Sequence, residues 1–371
     1  MTAVLRVGVI GANWGLNHVG AWRAVPGVEV TALCTSRRGT AEAAARESGV
    51  ARAVWNASEL IEDPSIEVID VTPRPQVRVP LVLEALRAGK HVMQPLPFAQ
   101  TLVQGHALLA ASRTQKVVAA VENLHRYSPT FLQAKAMLDG GILGNVFTIH
   151  AHVRTGILLN PSAGYVYEWI TDAASGASAL RNFGAHLMHV LTWLFGEVDA
   201  VCADLRTRLT QIRYADGQVK DNGTEDSALL LLKLTNGATA TVDASWCTTA
   251  GEGLLIDAVG ESGRLQIRAK GLGPQAAEIR WAERGAERLM KVAIEERFRH
   301  VAGLPLRDAP EEPRRFPLAA MCFAFAEAVR EGDAQRAHPT FDEASYVMQI
   351  VEAAYRSHET RTWVPVPARS D

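Results

Sequence analysis

Two short stretches carry the residue types best suited to hold a phosphate-bearing ligand. VGVIGANWG, residues 7–15, is an apolar run that reaches a glycine and leads into sequence of helical character. Such a turn brings backbone N–H groups up to an anion at a helix start. The usual dinucleotide spacing is GxGxxG. Here Gly11 fills the first place, Asn13 the second and Leu16 the third; Gly15 is offset by one, and the bulky Trp14 stands beside it. The plainer alternative is a tight strand-to-helix turn. The second stretch, CTSRR at residues 34–38, closes the next apolar run. An NAD site puts a carboxylate there for the ribose hydroxyls. Thr35, Ser36, Arg37 and Arg38 offer hydroxyl and guanidinium groups instead, which suit a 2′-phosphate. The chemistry favours NADP over NAD, with NAD still possible; the alternative is a solvated turn.

A third set could move protons. Asn182 and His186 stand four apart in sequence of helical character, so their side chains share a face. Histidine exchanges a proton near neutral pH, whereas asparagine only donates and accepts hydrogen bonds. The alternative for His186 is a structural histidine at a helix start. Tyr127, in HRYSP, could donate to a substrate or pack against Pro129, and His125 beside it is a weaker acid–base candidate. His150 and His152 alternate along a strand and suit an interface or pocket wall. No third ligand completes a zinc or iron site, so no metal is expected. Tyr165, Tyr167 and Trp169 suit either the face of a sugar ring or a satellite core. No GxSxG elbow is present and no cysteine has a partner of known type, which leaves nucleophilic catalysis little support.

The elements that must position these residues follow from the apolar pattern. From residue 4 to about 123, short apolar runs alternate with helices, the pattern of βαβ units on a buried parallel sheet. PLVLEALRAGK reads as one such helix, with Pro80 in its first turn and Gly89 at its C-terminal cap. Beyond that, NVFTIHAHV, DAVCADLRT, DSALLLLKL, ATATVDASW, GLLIDAVG and GRLQIRA read as strands of a mostly antiparallel sheet. TNG at 235–237 is a hairpin turn, and helices are expected near 130–139 and 183–194. A late helix, FDEASYVMQIVEAAYRS, is expected to pack back on the body. The expected division is a Rossmann dinucleotide-binding domain over 1–123 and an α+β substrate and oligomerisation domain over 124–371. ALLLLKL offers apolar side chains on both faces, which suits a homodimer or homotetramer. The chain has 371 residues, 48% hydrophobic and 21% charged, with net charge -2. No basic stripe suggests nucleic acid, no apolar run reaches the ~20 residues of a membrane helix, and no signal peptide is read. Four scattered cysteines without a CxxC pair suit a reduced cytoplasm.

With these residues in place the chain resembles the glucose-fructose oxidoreductase/inositol dehydrogenase (Gfo/Idh/MocA) family over nearly its whole length. The likeness rests on VTPRPQV, ALRAGKHVMQPLPFA, HRYSPTFLQAKAMLDGGILGNVFTI and GASALRNFGAHLMHVLTWLFGEV. It implies a nucleotide domain followed by an open-sheet domain, acting on sugars, polyols or related carbonyl compounds. It also implies that Thr72, Pro73, Gln94, Leu96 and Pro97 lie along the cofactor. The family's glutamate-lysine-proline motif falls on Pro95, Leu96 and Pro97, so its amine is absent. The second-domain aspartate falls on Asn182, its histidine on His186, and a further aspartate on His189. The histidine after the Thr-Pro loop falls near Val77. His186 is thus the remaining proton-transfer candidate. The expectation is an NADP-dependent oxidoreductase; the alternatives are a non-catalytic nucleotide-binding sensor or regulator, and a non-redox enzyme that retains its cofactor.

Overall fold

The computed structural model describes residues 4–273, 277–308 and 314–369. Its first six strands are β1 (Leu5–Ile10), β2 (Val28–Cys34), β3 (Arg52–Val54), β4 (Val68–Val71), β5 (His91–Gln94) and β6 (Ala119–Val121). They form one parallel sheet in the order β3-β2-β1-β4-β5-β6. The order reverses beside β1, as in a doubly wound nucleotide fold, and places the loops after β1 and β4 at the switch point. The intervening helices are α1 (Gly15–Arg23), α2 (Arg38–Ser48), α3 (Ser58–Ile61), α4 (Pro75–Arg87) and α5 (Leu102–Gln115). All four residues of β4 are buried, as a strand covered on both faces requires.

Helix α4 corrects one expectation. It begins at Pro75, not Pro80, and Pro80 lies inside it. Pro75 occupies the first turn, where its missing N–H is not needed. The exposed Pro80 is tolerated one turn further on, and Gly89 takes the left-handed backbone (φ +74°) just past the end.

The second sheet has nine strands in the order β16-β15-β14-β13-β7-β12-β11-β8-β17. These are β7 (Val146–Arg154), β8 (Val198–Arg206), β11 (Ser227–Leu234), β12 (Thr239–Ser245), β13 (Gly253–Gly260), β14 (Gly263–Ala269), β15 (Glu278–Glu283), β16 (Met290–Val292) and β17 (Val364–Pro365). A separate hairpin is made by β9 (Gln211–Arg213) and β10 (Val219–Asp221). Among the described residues only the β7–β12 pair of the large sheet is parallel; its other pairings are antiparallel. Asn236 and Gly237 turn β11 into β12, with Gly237 at φ +89°. One face of β11, Ala228, Leu230, Leu232 and Leu234, is buried in a core with helix α7 (Ala185–Phe195) and Phe131 of helix α6 (Pro129–Asp139). Its other face leaves Leu229 and Leu231 about half exposed (47% and 48%).

The chain divides into two compact units: Met1–Tyr127 with Arg299–Ser345, and Ser128–Phe298 with Tyr346–Asp371. This is not the uninterrupted split at residue 124 read from the pattern. Helix α8 (Arg315–Glu331) puts Phe316, Met321 and Phe325 into the same core as Val7, Val19 and Trp22 of the parallel-sheet unit. Helix α9 (Phe341–Thr360) contributes Tyr346, Val347 and Ile350 to the core of the open-sheet unit.

Candidate functional site

The parallel-sheet unit gathers the residues of the phosphate loop around one threonine. Thr72, just beyond β4, donates its hydroxyl to the Ile10 carbonyl at 2.9 Å. A Cβ on Gly11 would lie 2.3 Å from that hydroxyl oxygen, and one on Gly15 would lie 2.9 Å from it. Gly11 is also at φ +103° and donates its N–H to Cys34 O. The two glycines are therefore demanded by the close approach of the loop after β4. Asn13 is exposed, and Trp14 is half-buried at the cap of α1. Neither α1 nor α2 has a side-chain cap or an acidic residue in its first turn. Helix starts left this way suit the phosphates of a dinucleotide, and the residues present fit that group.

At the end of β2 the candidates separate. The Thr35 hydroxyl turns inward, 2.6 Å from the Thr40 hydroxyl and 3.1 Å from Arg37 O, so it shapes the turn. Ser36 and Arg37 are exposed. Arg38 donates to Glu42 at 2.8 Å, and its guanidinium lies 5.2 Å from the Trp55 ring. Trp55 went unnoticed in the sequence because the strand before it, β3, has only three residues. It places an exposed indole beside Arg38.

The loops after β4 and β5 are tied by a residue that motif reading missed. Arg78 on α4 is buried and donates to Pro73 O at 2.6 Å, to Gln94 Oε1 at 3.0 Å, and to Pro97 O. Burial pulls its guanidinium down to about 9, against the opposing pull of Glu122. Gln94 and Pro97 thus serve as anchors for this arginine. Leu96 between them is buried at 7% exposure. The signal was an arginine on the apolar stripe of α4, in register with Val82 and Leu86.

Tyr127 does not offer a free phenol: its hydroxyl donates to His338 O at 2.8 Å, and burial pushes it above the usual tyrosine range. His125 is buried, with Nδ1 3.2 Å from Asn123 Oδ1. Val77 is exposed on α4.

In the open-sheet unit, Asn182 and His186 lie on consecutive but different helical turns. Residues Leu180–Gly184 form a π-helical turn that runs into α7 at Ala185. The sequence reads as a single regular helix here; the wider turn is the difference, and such turns are frequent at functional sites. Four residues, Ser178, Arg181, Glu225 and Tyr355, are tied together around it. Asn182 N–H donates to Ser178 O at 2.9 Å and Arg181 N–H to Ser178 Oγ at 3.0 Å. The Tyr355 hydroxyl lies 2.9 Å from Ser178 Oγ and donates to Glu225. The Arg181 guanidinium sits 4.3 Å from the Tyr355 ring centroid. Burial pushes the Glu225 carboxyl up, while the bonds from Ser178 and Tyr355 and the Arg181 charge oppose it. Phe183 packs edge-on to the buried Trp246, with centroids 5.8 Å apart. His186 is half-buried, while His189 is fully buried in α7.

The aromatic loop divides. Tyr165 and Trp169 pack on a satellite core of Leu158, Ile170, Tyr214 and Trp246, while Tyr167 is exposed. His150 Nδ1 lies 2.8 Å from the Thr241 hydroxyl on the open face, and His152 is buried. Among the described residues no group of three or more His, Cys, Asp or Glu side chains could hold a metal, and no helix is long and apolar enough to cross a membrane.

Comparison with known proteins bears on both units. The family described as "Oxidoreductase family, NAD-binding Rossmann fold" matches residues 5–123, and the "GFO/IDH/MocA C-terminal domain" matches residues 131–266. An uncharacterised oxidoreductase of Synechocystis is 23% identical over 98% of this chain and 96% of its own. The D-apiose dehydrogenase of Paraburkholderia graminis is 25% identical over 68% of this chain and 64% of its own. A levoglucosan dehydrogenase solved with NADH and levoglucosan superposes with a TM-score of 0.87 at 22% identity, over 98% of this chain and 99% of that one. The chain belongs to the Gfo/Idh/MocA family of NAD(P)-dependent oxidoreductases.

Proposed function

We propose that this protein transfers a hydride between NADP(H) and a sugar, polyol or related carbonyl compound, with His186 as the proton-transfer group and Asn182 as a substrate-orienting one. The observation that carries the cofactor choice is the end of β2: no carboxylate, an exposed Ser36 and Arg37, and Arg38 beside Trp55. A 2′-phosphate is recognised by such donors, whereas an unmodified ribose is recognised by an acid. The sugar class is supported by relatives named for D-apiose and levoglucosan.

When bound, the nicotinamide would accept the hydride as the substrate is oxidised and give it back in reduction. The chain's own part is to hold the dinucleotide along Gly11–Gly15, Ser36, Arg37 and the Thr72–Pro73 loop, and to manage one proton. In the oxidation direction His186 takes the hydroxyl proton as the carbonyl forms; in reduction it returns that proton to the new alkoxide. Asn182 donates its amide to the substrate. Leu96 offers no donor where the family carries a lysine, so the proton falls to His186 alone. That same leucine favours a second reading, a nucleotide-bound sensor of a metabolite without turnover. The half-exposed Leu229 and Leu231 support a homodimer or homotetramer through the open face of the large sheet.

The test begins with calorimetric titration of NADP(H) and NAD(H), then a panel of sugars, lactones, polyols and ketones followed by nicotinamide absorbance. Tighter binding of NAD(H) would overturn the cofactor choice. Metabolite binding without any turnover would favour the sensor. Light scattering that gives the mass of one chain at micromolar concentration would remove the oligomer.

A further inference from the structure

Beneath the phosphate loop lies a buried set of charges that the cofactor reading does not use. His18, in the first turns of α1, is fully buried. Its Nδ1 lies 2.7 Å from Asp70 Oδ2 on β4, and its Nε2 lies 3.2 Å from Glu122 Oε2, just past β6. Each carboxylate oxygen also receives an indole. Trp22 Nε1 donates to Asp70 Oδ2 at 2.7 Å, and Trp14 Nε1 donates to Glu122 Oε2 at 2.5 Å. Asp70 Oδ1 is buried without a hydrogen-bond partner. The Trp14 ring meets the His18 ring edge-on at 5.8 Å, and the Arg314 guanidinium lies 5.7 Å from it.

Burying two carboxylates is costly, and leaving one oxygen unpaired adds to the cost. An apolar residue at position 18 with neutral ones at 70 and 122 would fill the same space without either penalty. What the ions supply is direction. An imidazole with both nitrogens engaged fixes the ring, and the ring fixes the Glu122 carboxylate. That carboxylate accepts the indole of Trp14, the residue that caps α1 and sits within the loop Gly11–Gly15. Helix α1 has no side-chain cap to define its start. Trp14 is tied instead by its indole, at the point where a loop short of the usual glycines must hold its N–H groups toward a pyrophosphate.

We propose that His18, held between Asp70 and Glu122, is a positioning residue for the dinucleotide: it sets Glu122, which through the Trp14 indole sets the backbone of the phosphate loop. The effect belongs to the pyrophosphate, which NAD(H) and NADP(H) share. It therefore changes affinity for both and leaves their ratio alone, whereas the residues at the end of β2 change the ratio.

The experiment uses the full chain with H18Q, W14F and the double variant, titrating NADPH and NADH by calorimetry. Each single change is expected to weaken both cofactors by roughly tenfold, and the double variant to be no weaker than the weaker single, because both break one chain of contacts. Phe325→Leu is the stability control. Phe325 packs edge-on to Trp22 at 5.8 Å, and its loss should lower the melting temperature while changing both affinities less than twofold. Additive losses, a folded H18Q with unchanged affinity, or equal weakening in F325L would each overturn the proposal. If H18Q does not fold, W14F decides: unchanged affinity there removes the link to the loop. If the original protein binds neither dinucleotide, the cofactor assignment itself fails and His18 loses its role with it.

Discussion

The two units fix their functional loops with different kinds of polar group. In the parallel-sheet unit the ties are full charges in dry surroundings. His18 sits between Asp70 and Glu122, and Arg78 reaches three acceptors on two loops. Burial alone would pull His18 down, but the Asp70 and Glu122 charges and hydrogen bonds outweigh it and hold the imidazole at about 10. Its contribution to stability is then fully present below the ordinary histidine value and is lost progressively as pH rises from there through about 10. In the open-sheet unit the π turn is tied by the Ser178 and Tyr355 hydroxyls and by Glu225, whose carboxyl is pushed up by burial. A frame of strong ions keeps its charge state across the physiological range. In the other frame the phenol and hydroxyl stay neutral, and burial shifts the one carboxyl toward its neutral form.

The largest effect expected from breaking either side is on chemistry. His186→Ala should lower turnover by ~10²- to 10⁴-fold, the range for a lost general acid–base group. NADPH affinity should stay within twofold, since the cofactor candidates lie on the other unit. A variant that turns over at the original rate would return His186 to a structural role.

Next in size is Arg78→Ala, the sharpest test of the ionic frame. It removes one residue and leaves Pro73 O, Gln94 Oε1 and Pro97 O to find other partners. A buried polar group left unpaired costs about 1–3 kcal/mol, so a loss of roughly 3 kcal/mol or more in urea unfolding is expected, with weaker dinucleotide binding. Arg78→Lys should recover little, because one ammonium cannot reproduce a three-nitrogen fork. A fall below 1 kcal/mol would mean that the loops are held by packing alone.

How far the sequence could reveal these frames depended on distance along the chain. The strand–helix alternation, the parallel and antiparallel sheets and the TNG hairpin are local patterns, and they were legible. The pairing of His18 with Asp70 and Glu122 spans 52 and 104 residues, and neither partner stands in a motif. Arg78 left a trace, a charge on an apolar stripe, whereas Trp55 followed a strand too short to show alternation. The return of residues 299–345 to the first unit left none, because an apolar stripe such as that of α8 announces burial without naming what buries it.

A smaller effect is expected at the end of β2. Arg37→Ala should reduce the preference for NADPH over NADH by roughly tenfold, the value of one charge-assisted contact. Arg38→Ala should do less, because Arg38 is already paired with Glu42 and placed beside Trp55. Calorimetry with both cofactors measures the ratio. An unchanged ratio in the Arg37 variant would place phosphate recognition elsewhere, and a larger change in the Arg38 variant would reverse the order.

The smallest effect tests the softer frame, and its sign depends on pH. Glu225 is raised chiefly by burial, so folding favours its protonated form. The stability that this brings is fully present below the ordinary glutamate value and is lost as pH rises through the raised one. Tyr355 limits that loss by donating to the ionised carboxylate. Tyr355→Phe removes the donor, leaves Ser178 and Arg181 to share the work, and pushes the carboxyl higher still. At pH 5 the variant can accept a proton on Glu225 and should lose little. At pH 8 it must either bury a poorer-paired carboxylate or take up a proton from dilute solution, and a loss of about 1–2 kcal/mol is expected. Urea midpoints of both proteins at the two pH values give the comparison. The same change should lower kcat more at pH 8 than at pH 5, because Ser178 and Tyr355 hold the turn that carries Asn182. An equal loss at both pH values would show that the phenol acts by packing, and a larger loss at pH 5 would reverse the sign assigned to Glu225.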